Sequence, residues 1–557
     1  MRNFHRLSVA TAVYALLLWP ATIWANGKPT SQFHPNILLI VADDMGYADL
    51  GAYGSEIPTP NLDKLAKTGM RFTQFRASPA CSPSRAMLLT GVDAHAAGLG
   101  NMQEELAPNQ VGQPGYEGHL NERVTTIGEY LQDVGYRTLL SGKWHLGETP
   151  TSLPSARGFD RTFALASGGA SHFADMRPAY AKSPTAKAKY FSNGTKLDSL
   201  PAEFNYSSQF YVDWLMSELS EENTSPFFAM LSFTAPHWPL QAPEEAMAKF
   251  AGNYDKGYDK ALKARFKKQK SLGVISRRSK LNKTPWKPWK SLSDSERANS
   301  AKAMETYAAM IHEMDRHTGR LIEYLRSTQQ LDNTLIIFLS DNGAEGHTYN
   351  ETWPEDLFPQ IRANIDDRHD FSYKNIGHPG SYTFYNAEWA RVGAPSSRLH
   401  KGFSTEGGLR VPAFINLAGR IPAKIEHSPV FIKDIVPTLL DLLNIKTNPQ
   451  PNKAQVSGIS FAPLFRGVQG PSAPRVEITE LFGKVAVVDY PWKAIRLPAP
   501  WKQEGVDDWT LYNLELDNLE AKNLAMKHPD KLKKLLAAWA RYKKRHRVIL
   551  PDWVSGY

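Results

Sequence analysis

The run Asn36-Ile37-Leu38-Leu39-Ile40-Val41-Ala42 is apolar at every position after its first. A strand with one face in water alternates apolar and polar residues, so a run without alternation must be covered on both faces. That is the situation of a parallel sheet between helices. Phe227 to Phe233 and Thr334 to Ser340 have the same character, and Tyr136 to Leu140 and Val411 to Leu417 read as further strands. Helical patterns occupy Asn61 to Thr68, Val124 to Val134, Glu296 to Arg326 and the segment around Pro437 to Asp441. The expected fold class is α/β, with a large, mostly parallel sheet sandwiched by helices across residues 34–447. A Pro/Asn-rich linker, Asn448 to Lys453, precedes short strands at Glu477 to Phe482, Ala486 to Val488, Trp492 to Leu497 and Trp509 to Leu514. A Lys/Leu/Ala helix follows from Asp530 to Arg545. This second unit, residues 454–557, is expected to be a small antiparallel sheet with one covering helix.

Polar clusters follow the strand-like runs: Asp43-Asp44, Lys143 with His145, His237, and Asp341-Asn342. Each alone has an ordinary reading as a turn, a cap or a satisfied loop residue. In open α/β sheets, however, ligands bind beyond the carboxyl ends of the strands, and here every cluster falls at that rim. Two adjacent carboxylates at the end of a buried strand repel each other unless a cation lies beside them. Asp43, Asp44, Asp341 and Asn342 offer only oxygen donors, which select a hard cation, and a permissive cage of four suits calcium better than magnesium.

Cys81 is the only cysteine in 557 residues, so no disulfide framework or cysteine-based zinc site exists. In Cys81-Ser82-Pro83-Ser84-Arg85, Ser82 can cap a helix and Pro83 suits its first position, while Gly91 suits the C-terminal end. Cys81 is therefore expected at a helix N-terminus, where the peptide dipole favours an anionic nucleophile or a bound oxyanion. A small buried core residue is the competing reading.

Cys81-Ser82-Pro83-Ser84-Arg85 followed by Thr90-Gly91 resembles the signature of the type I sulfatases, in which that cysteine is oxidised to formylglycine. The resemblance extends through the Asp43-Asp44 strand, Gly142-Lys143-Trp144-His145-Leu146-Gly147, Ala235-Pro236-His237, Ser340-Asp341-Asn342-Gly343, Lys401 and Leu511-Tyr512-Asn513-Leu514. The chain looks closest to the bacterial alkyl- and arylsulfatases, although its signal peptide and the segment Lys484 to Tyr490 match least well. The resemblance implies an alkaline-phosphatase-like fold and one calcium ion held by Asp43, Asp44, residue 81, Asp341 and Asn342. It also implies a covalent mechanism: a hydroxyl of the hydrated aldehyde attacks sulfur. Lys143, Lys401 and the metal neutralise the sulfate oxygens, and His237, assisted by Lys401, protonates the departing alcohol. His145 then takes a proton from the second hydroxyl, expelling sulfate, while Arg85 holds the diol. An unmodified thiol has no second hydroxyl and would stall. A formylglycine-generating enzyme is an implied partner before or during export.

Arg2, His5 and Arg6, followed by an apolar run that breaks at Pro20 and reaches Ala25, read as a signal peptide spanning residues 1–25. An uncleaved anchor is the alternative. With cleavage, the expected location is periplasmic or secreted, with no membrane attachment. The formal charge of +9 traces to one segment, Lys256 to Lys290, where thirteen Lys/Arg face the single acid Asp259, a local +12 without which the chain would carry −3. No nucleic-acid partner is expected. That segment reads as a solvated helical lid with Trp286 and Trp289 docked on the core, or as a patch that concentrates sulfated substrate. A phosphoester or phosphonate hydrolase on the same plan, and a non-catalytic glycan-binding protein, are the rival readings of the whole chain. The sulfated substrate itself, aryl or carbohydrate, is not encoded in any readable motif.

Overall fold

In the computed structural model, which describes residues 34–283, 287–447, 450–468 and 475–553, the apolar runs become the middle of a ten-stranded sheet. The Thr334–Ser340, Asn36–Ala42, Phe227–Ser232, Arg137–Lys143 and Arg161–Leu165 strands lie side by side and parallel. Ala413–Asn416 continues one flank antiparallel to Thr334–Ser340, with Met70–Phe72 and Lys424–Glu426 beyond it, and Tyr190–Ser192 continues the other antiparallel to Arg161–Leu165, with Thr195–Lys196 at its edge. Leu38, Ile40 and Ala42 join the large core cluster with Met304, Tyr307 and Ile311, whereas Ile37, Leu39 and Val41 are buried outside that cluster. Coverage of both faces is why the sequence could dispense with alternation.

Met304, Tyr307 and Ile311 belong to the helix Asp294–Ser327, whose start is set by a capping box between Ser293 and Glu296. Several predicted boundaries shift. The expected helix from Val124 begins only at Ile127, where Thr126 and Glu129 form a capping box. The strand expected to end at Leu140 runs on through Lys143, because Ser141, Gly142 and Lys143 remain in register with Phe163, Ala164 and Leu165.

The second sheet is a meander of Glu477–Leu481, Lys484–Asp489, Trp492–Arg496 and Trp509–Asn513. Leu532, Leu535 and Ala538 of the Pro529–His546 helix pack on its Val485, Val487, Ala494 and Leu511. Pro35–Tyr557 forms one compact unit. Buried ion pairs join this sheet to the main body: Lys493 reaches Glu406 at 2.9 Å and Glu520 at 2.7 Å, and Glu406 also holds Arg76 at 2.8 Å. The expected signal segment, Trp286 and part of the Asn448 to Lys453 linker lie outside the described residues. Among those described, no helix is long and apolar enough to cross a membrane.

Candidate active site

Parallel strands deliver their carboxyl ends to one rim. Asp43 and Asp44 follow the Asn36–Ala42 strand, Lys143 ends Arg137–Lys143, Ser232 ends Phe227–Ser232, and Asp341 and Asn342 follow Thr334–Ser340. His145, His237 and Lys401 sit on the loops beyond, and every one of these side chains is buried. The chain reverses at Asp44, whose φ of 65° is the left-handed conformation that Asp tolerates better than most residues.

Cys81 is the first residue of the helix Cys81–Thr90, two positions earlier than expected. Ala80, not Ser82, is the N-cap, and Ser84 Oγ instead accepts from the Ser78 amide. Pro83 still lies within the first turn, where its missing N–H costs nothing, and Gly91 caps the other end at φ 69°. The Cys81 sulfur is 3.5 Å from Asp43 Oδ1 and 3.7 Å from Asp44 Oδ1. Burial, together with Asp341 and Asp43, pushes the Cys81 thiol well up despite Lys143 and Lys401. A helix dipole cannot offset complete desolvation beside carboxylates.

Arg85, one turn along, donates Nε to Asp341 Oδ2 at 2.8 Å and Nη1 to Ser232 Oγ at 2.7 Å and to the Lys143 carbonyl at 3.0 Å. Lys143 Nζ donates to Asp43 Oδ2 at 2.6 Å. Lys401 Nζ lies 2.9 Å from Asp44 Oδ2, 3.0 Å from Glu345 Oε2 and 3.5 Å from His237 Nε2. His237 Nδ1 sits 2.5 Å from the Trp238 carbonyl, and since a carbonyl only accepts, Nδ1 carries the proton. Burial, Lys401 and Lys143 all push His237 down, so the ring is neutral near pH 7 and Nε2 holds a lone pair. Burial outweighs Lys143 and raises Asp43 to about 7, and it raises Asp44 as well; Asp341 is lowered, because Arg85 and Lys143 overcome its burial.

These residues fit a metal ion. Carboxylate oxygens of Asp43 and Asp44, the Cys81 sulfur and a His237 ring nitrogen lie within 4.8 Å of one another. Asn342 Nδ2 is committed to Asp44 Oδ1 and the Gly343 carbonyl, which leaves its buried Oδ1 without a partner. Buried carboxylates driven upward in pKa, beside a spare amide oxygen, are a donor set short of positive charge. A cavity of about 300 Å³ opens onto Cys81, His145, His237 and Lys401, walled by Tyr180, Trp238 and Trp353.

The sulfatase family model matches residues 35–445. The chain belongs to the sulfatase family. It is 40% identical to an uncharacterized sulfatase of Schizosaccharomyces pombe over 549 residues, covering 95% of this chain and 97% of that one. It is also 40% identical to an arylsulfatase of Klebsiella aerogenes over 462 residues, 81% of this chain and 94% of the relative. Among solved structures, Ps i-CgsB in complex with a neocarrahexaose shares 25% identity with a TM-score of 0.64, covering 93% of this chain and 94% of that one. This sulfatase is thus a sulfuric ester hydrolase, of a family whose chemistry rests on formylglycine and a metal ion.

The candidate catalytic and metal-binding residues Asp43, Asp44, Cys81, Arg85, Lys143, His145, His237, Asp341, Asn342 and Lys401 meet at this rim. The sequence reading missed Glu104, 3.0 Å from His145 Nε2, and Glu345, which holds Lys401. Glu345 lies three residues past Asn342 and proximity could have flagged it; nothing local marks Glu104. The basic segment is elsewhere: none of its thirteen cations lines the cavity. Arg265 is buried in ion pairs to Asp49 and Glu56, and Lys268 donates to the Ser55 carbonyl, so part of the charge is structural. Residues Lys484 to Tyr490 do not line the cavity either; Lys484 is buried against the Phe403 ring.

Proposed function

We propose that this sulfatase hydrolyses aryl or carbohydrate sulfate monoesters with formylglycine at position 81 and a calcium ion held by Asp43, Asp44, Asp341, Asn342 and residue 81. The observation that carries the reading is the convergence of Cys81, three carboxylates and the cations Arg85, Lys143 and Lys401 within one buried cluster. When present, the formylglycine hydrate supplies a hydroxyl nucleophile for sulfur and a second hydroxyl for its release, and the cation screens the charge of the sulfate.

The chain's own residues supply the rest. Lys143 and Lys401 face the sulfate oxygens as fixed ammonium groups, already desolvated, so they gain strength from the low dielectric around them. Arg85 is locked on three sides by Asp341, Ser232 and the Lys143 carbonyl, which fixes the helix start that carries residue 81. With His237 Nδ1 tied to the Trp238 carbonyl, the proton for the departing alcohol comes from Lys401 Nζ by way of His237 Nε2, 3.5 Å apart. Tyr180, Trp238 and Trp353 offer ring faces to an aromatic or sugar leaving group.

Cys81 is 1% exposed, so a modifying enzyme must reach it before the helix is buried. That timing supports formylglycine formation before or during export, directed by residues 1–25, to a periplasmic or secreted location. The test is turnover of 4-nitrophenyl sulfate against 4-nitrophenyl phosphate, followed by sulfate release from alkyl and sugar sulfates. One divalent ion with two lysines suits a monoanionic sulfate better than a phosphate dianion. A kcat/KM for phosphate equal to or above that for sulfate would overturn the reading in favour of a phosphoester hydrolase.

A further inference from the structure

His145 has an unusual setting. Its backbone is left-handed, at φ 57°, and its ring is buried with Nε2 3.0 Å from Glu104 Oε1. Its other ring nitrogen, Nδ1, is buried without a hydrogen-bond partner. Glu104, on the short turn Gln103–Glu105, lines the same cavity as Cys81 and His145. Backbone strain at a non-glycine residue persists only where the surroundings hold it, and the Gly168 backbone lies so close that a Cβ there would meet His145 Cε1 at 2.8 Å. A neutral imidazole has one N–H, and a carboxylate can only accept.

We propose that Glu104 is a positioning residue for His145: its carboxylate holds the proton on Nε2 and so presents Nδ1 as the bare nitrogen that accepts a proton from the hydroxyl of residue 81. This rests on the reading of residue 81 as formylglycine. The proton moves from the hydroxyl oxygen to Nδ1, the electron pair left behind forms the carbonyl, and the bond to the sulfate oxygen breaks with its pair leaving on sulfate. The imidazolium so formed faces the Glu104 carboxylate, which offsets its charge.

The first measurement needs no turnover. In the full chain with ¹⁵N-labelled histidine, the His145 signals, assigned by their loss in His145→Gln, should report Nε2 protonated and Nδ1 bare. Glu104→Ala should mix the two tautomers. The second follows 4-nitrophenyl sulfate with formylglycine confirmed at position 81 by mass spectrometry. Glu104→Ala should lower kcat by about 10²-fold or more, with KM falling alongside it, because only the release step slows. A 4-nitrophenol burst and a chain heavier by one SO₃ should appear, and Glu104→Asp should restore part of kcat. If Glu104→Ala does not fold, Glu104→Gln, which can still accept from Nε2 but carries no charge, should show the same burst with a smaller loss. The proposal is overturned if kcat and kcat/KM fall together with no adduct, or if the tautomer is unchanged by Glu104→Ala. A modified wild-type chain that releases no sulfate would instead sink the sulfatase reading, leaving the tautomer result standing by itself.

Discussion

The rim of the sheet and its junction with the C-terminal sheet both bury several charges, but they balance them differently. At the junction, Arg76, Lys493 and Arg398 face Glu406 and Glu520, so neither carboxylate lacks a cation, and Glu406 is held well below its ordinary value because Arg76 and Lys493 overcome its burial. At the rim, Asp43, Asp44, Asp341 and Glu345 outnumber Arg85, Lys143 and Lys401, and burial drives Asp43 and Asp44 upward. A balanced cluster is a brace. An unbalanced one, with its carboxylates pushed toward protonation and an amide oxygen to spare, is a place made ready for a cation and an anionic substrate.

The largest expected effect breaks the rim. Asp341→Ala removes a proposed metal ligand and strands the Arg85 guanidinium, so kcat for 4-nitrophenyl sulfate should fall by about 10³-fold or more, and elemental analysis should find the metal lost. Near-normal turnover without metal would show that the site is misassigned. Breaking the brace should do the reverse. Glu406→Ala leaves Arg76 buried without its carboxylate and Lys493 with Glu520 alone, and urea unfolding should report a loss of about 3–5 kcal/mol while kcat of the folded protein stays put. The pH signs are also opposite. Glu406, depressed below 4.5, contributes stability that is present above that value and lost as pH falls through its folded value. Asp43, raised from 3.8 to about 7, contributes in metal-free protein a stability present below 3.8 and lost as pH rises toward 7.

Calcium should sharpen that contrast. At pH 7, calcium at 100 times its dissociation constant should stabilise the wild type by about 2.7 kcal/mol, and binding should release a proton from Asp43. Glu406→Ala should keep the calcium response, and Asp341→Ala should lose it. Equal responses in both variants would mean that the two clusters do not differ in the way described.

Much of this was legible in the sequence because the relevant signals are local. Unbroken apolar runs of five or six residues announced buried strands, and the polar residue after each had nowhere to go but the rim. The Cys81 helix was legible in kind but not in register: capping was assigned to Ser82 from residue preference, whereas Ser84, bound to Ser78 across the turn, fixes the start at Ala80. Glu104 and Glu345 were invisible because their roles depend on loops brought back over the rim, and a lone glutamate has no periodicity to read. The junction was equally hidden. Thr405-Glu406-Gly407-Gly408 marks a turn, but nothing near it names Lys493 as the partner.

The smallest effect concerns the basic segment. Since none of its cations lines the cavity and Lys268 is bound to the Ser55 carbonyl, changing Lys267, Lys268 and Lys270 to Gln should leave kcat/KM for 4-nitrophenyl sulfate within about twofold. Any added loss on a highly sulfated oligosaccharide should vanish at high salt. An equal, salt-independent loss on both substrates would make the segment a structural lid.

The most direct test is the chemical state of residue 81 in protein that turns over. Tryptic mass spectrometry of an active preparation should find the Cys81 sulfur replaced by an aldehyde or its hydrate, in proportion to activity across preparations, with Cys81→Ala inert. A preparation that hydrolyses 4-nitrophenyl sulfate with Cys81 intact throughout would contradict the account.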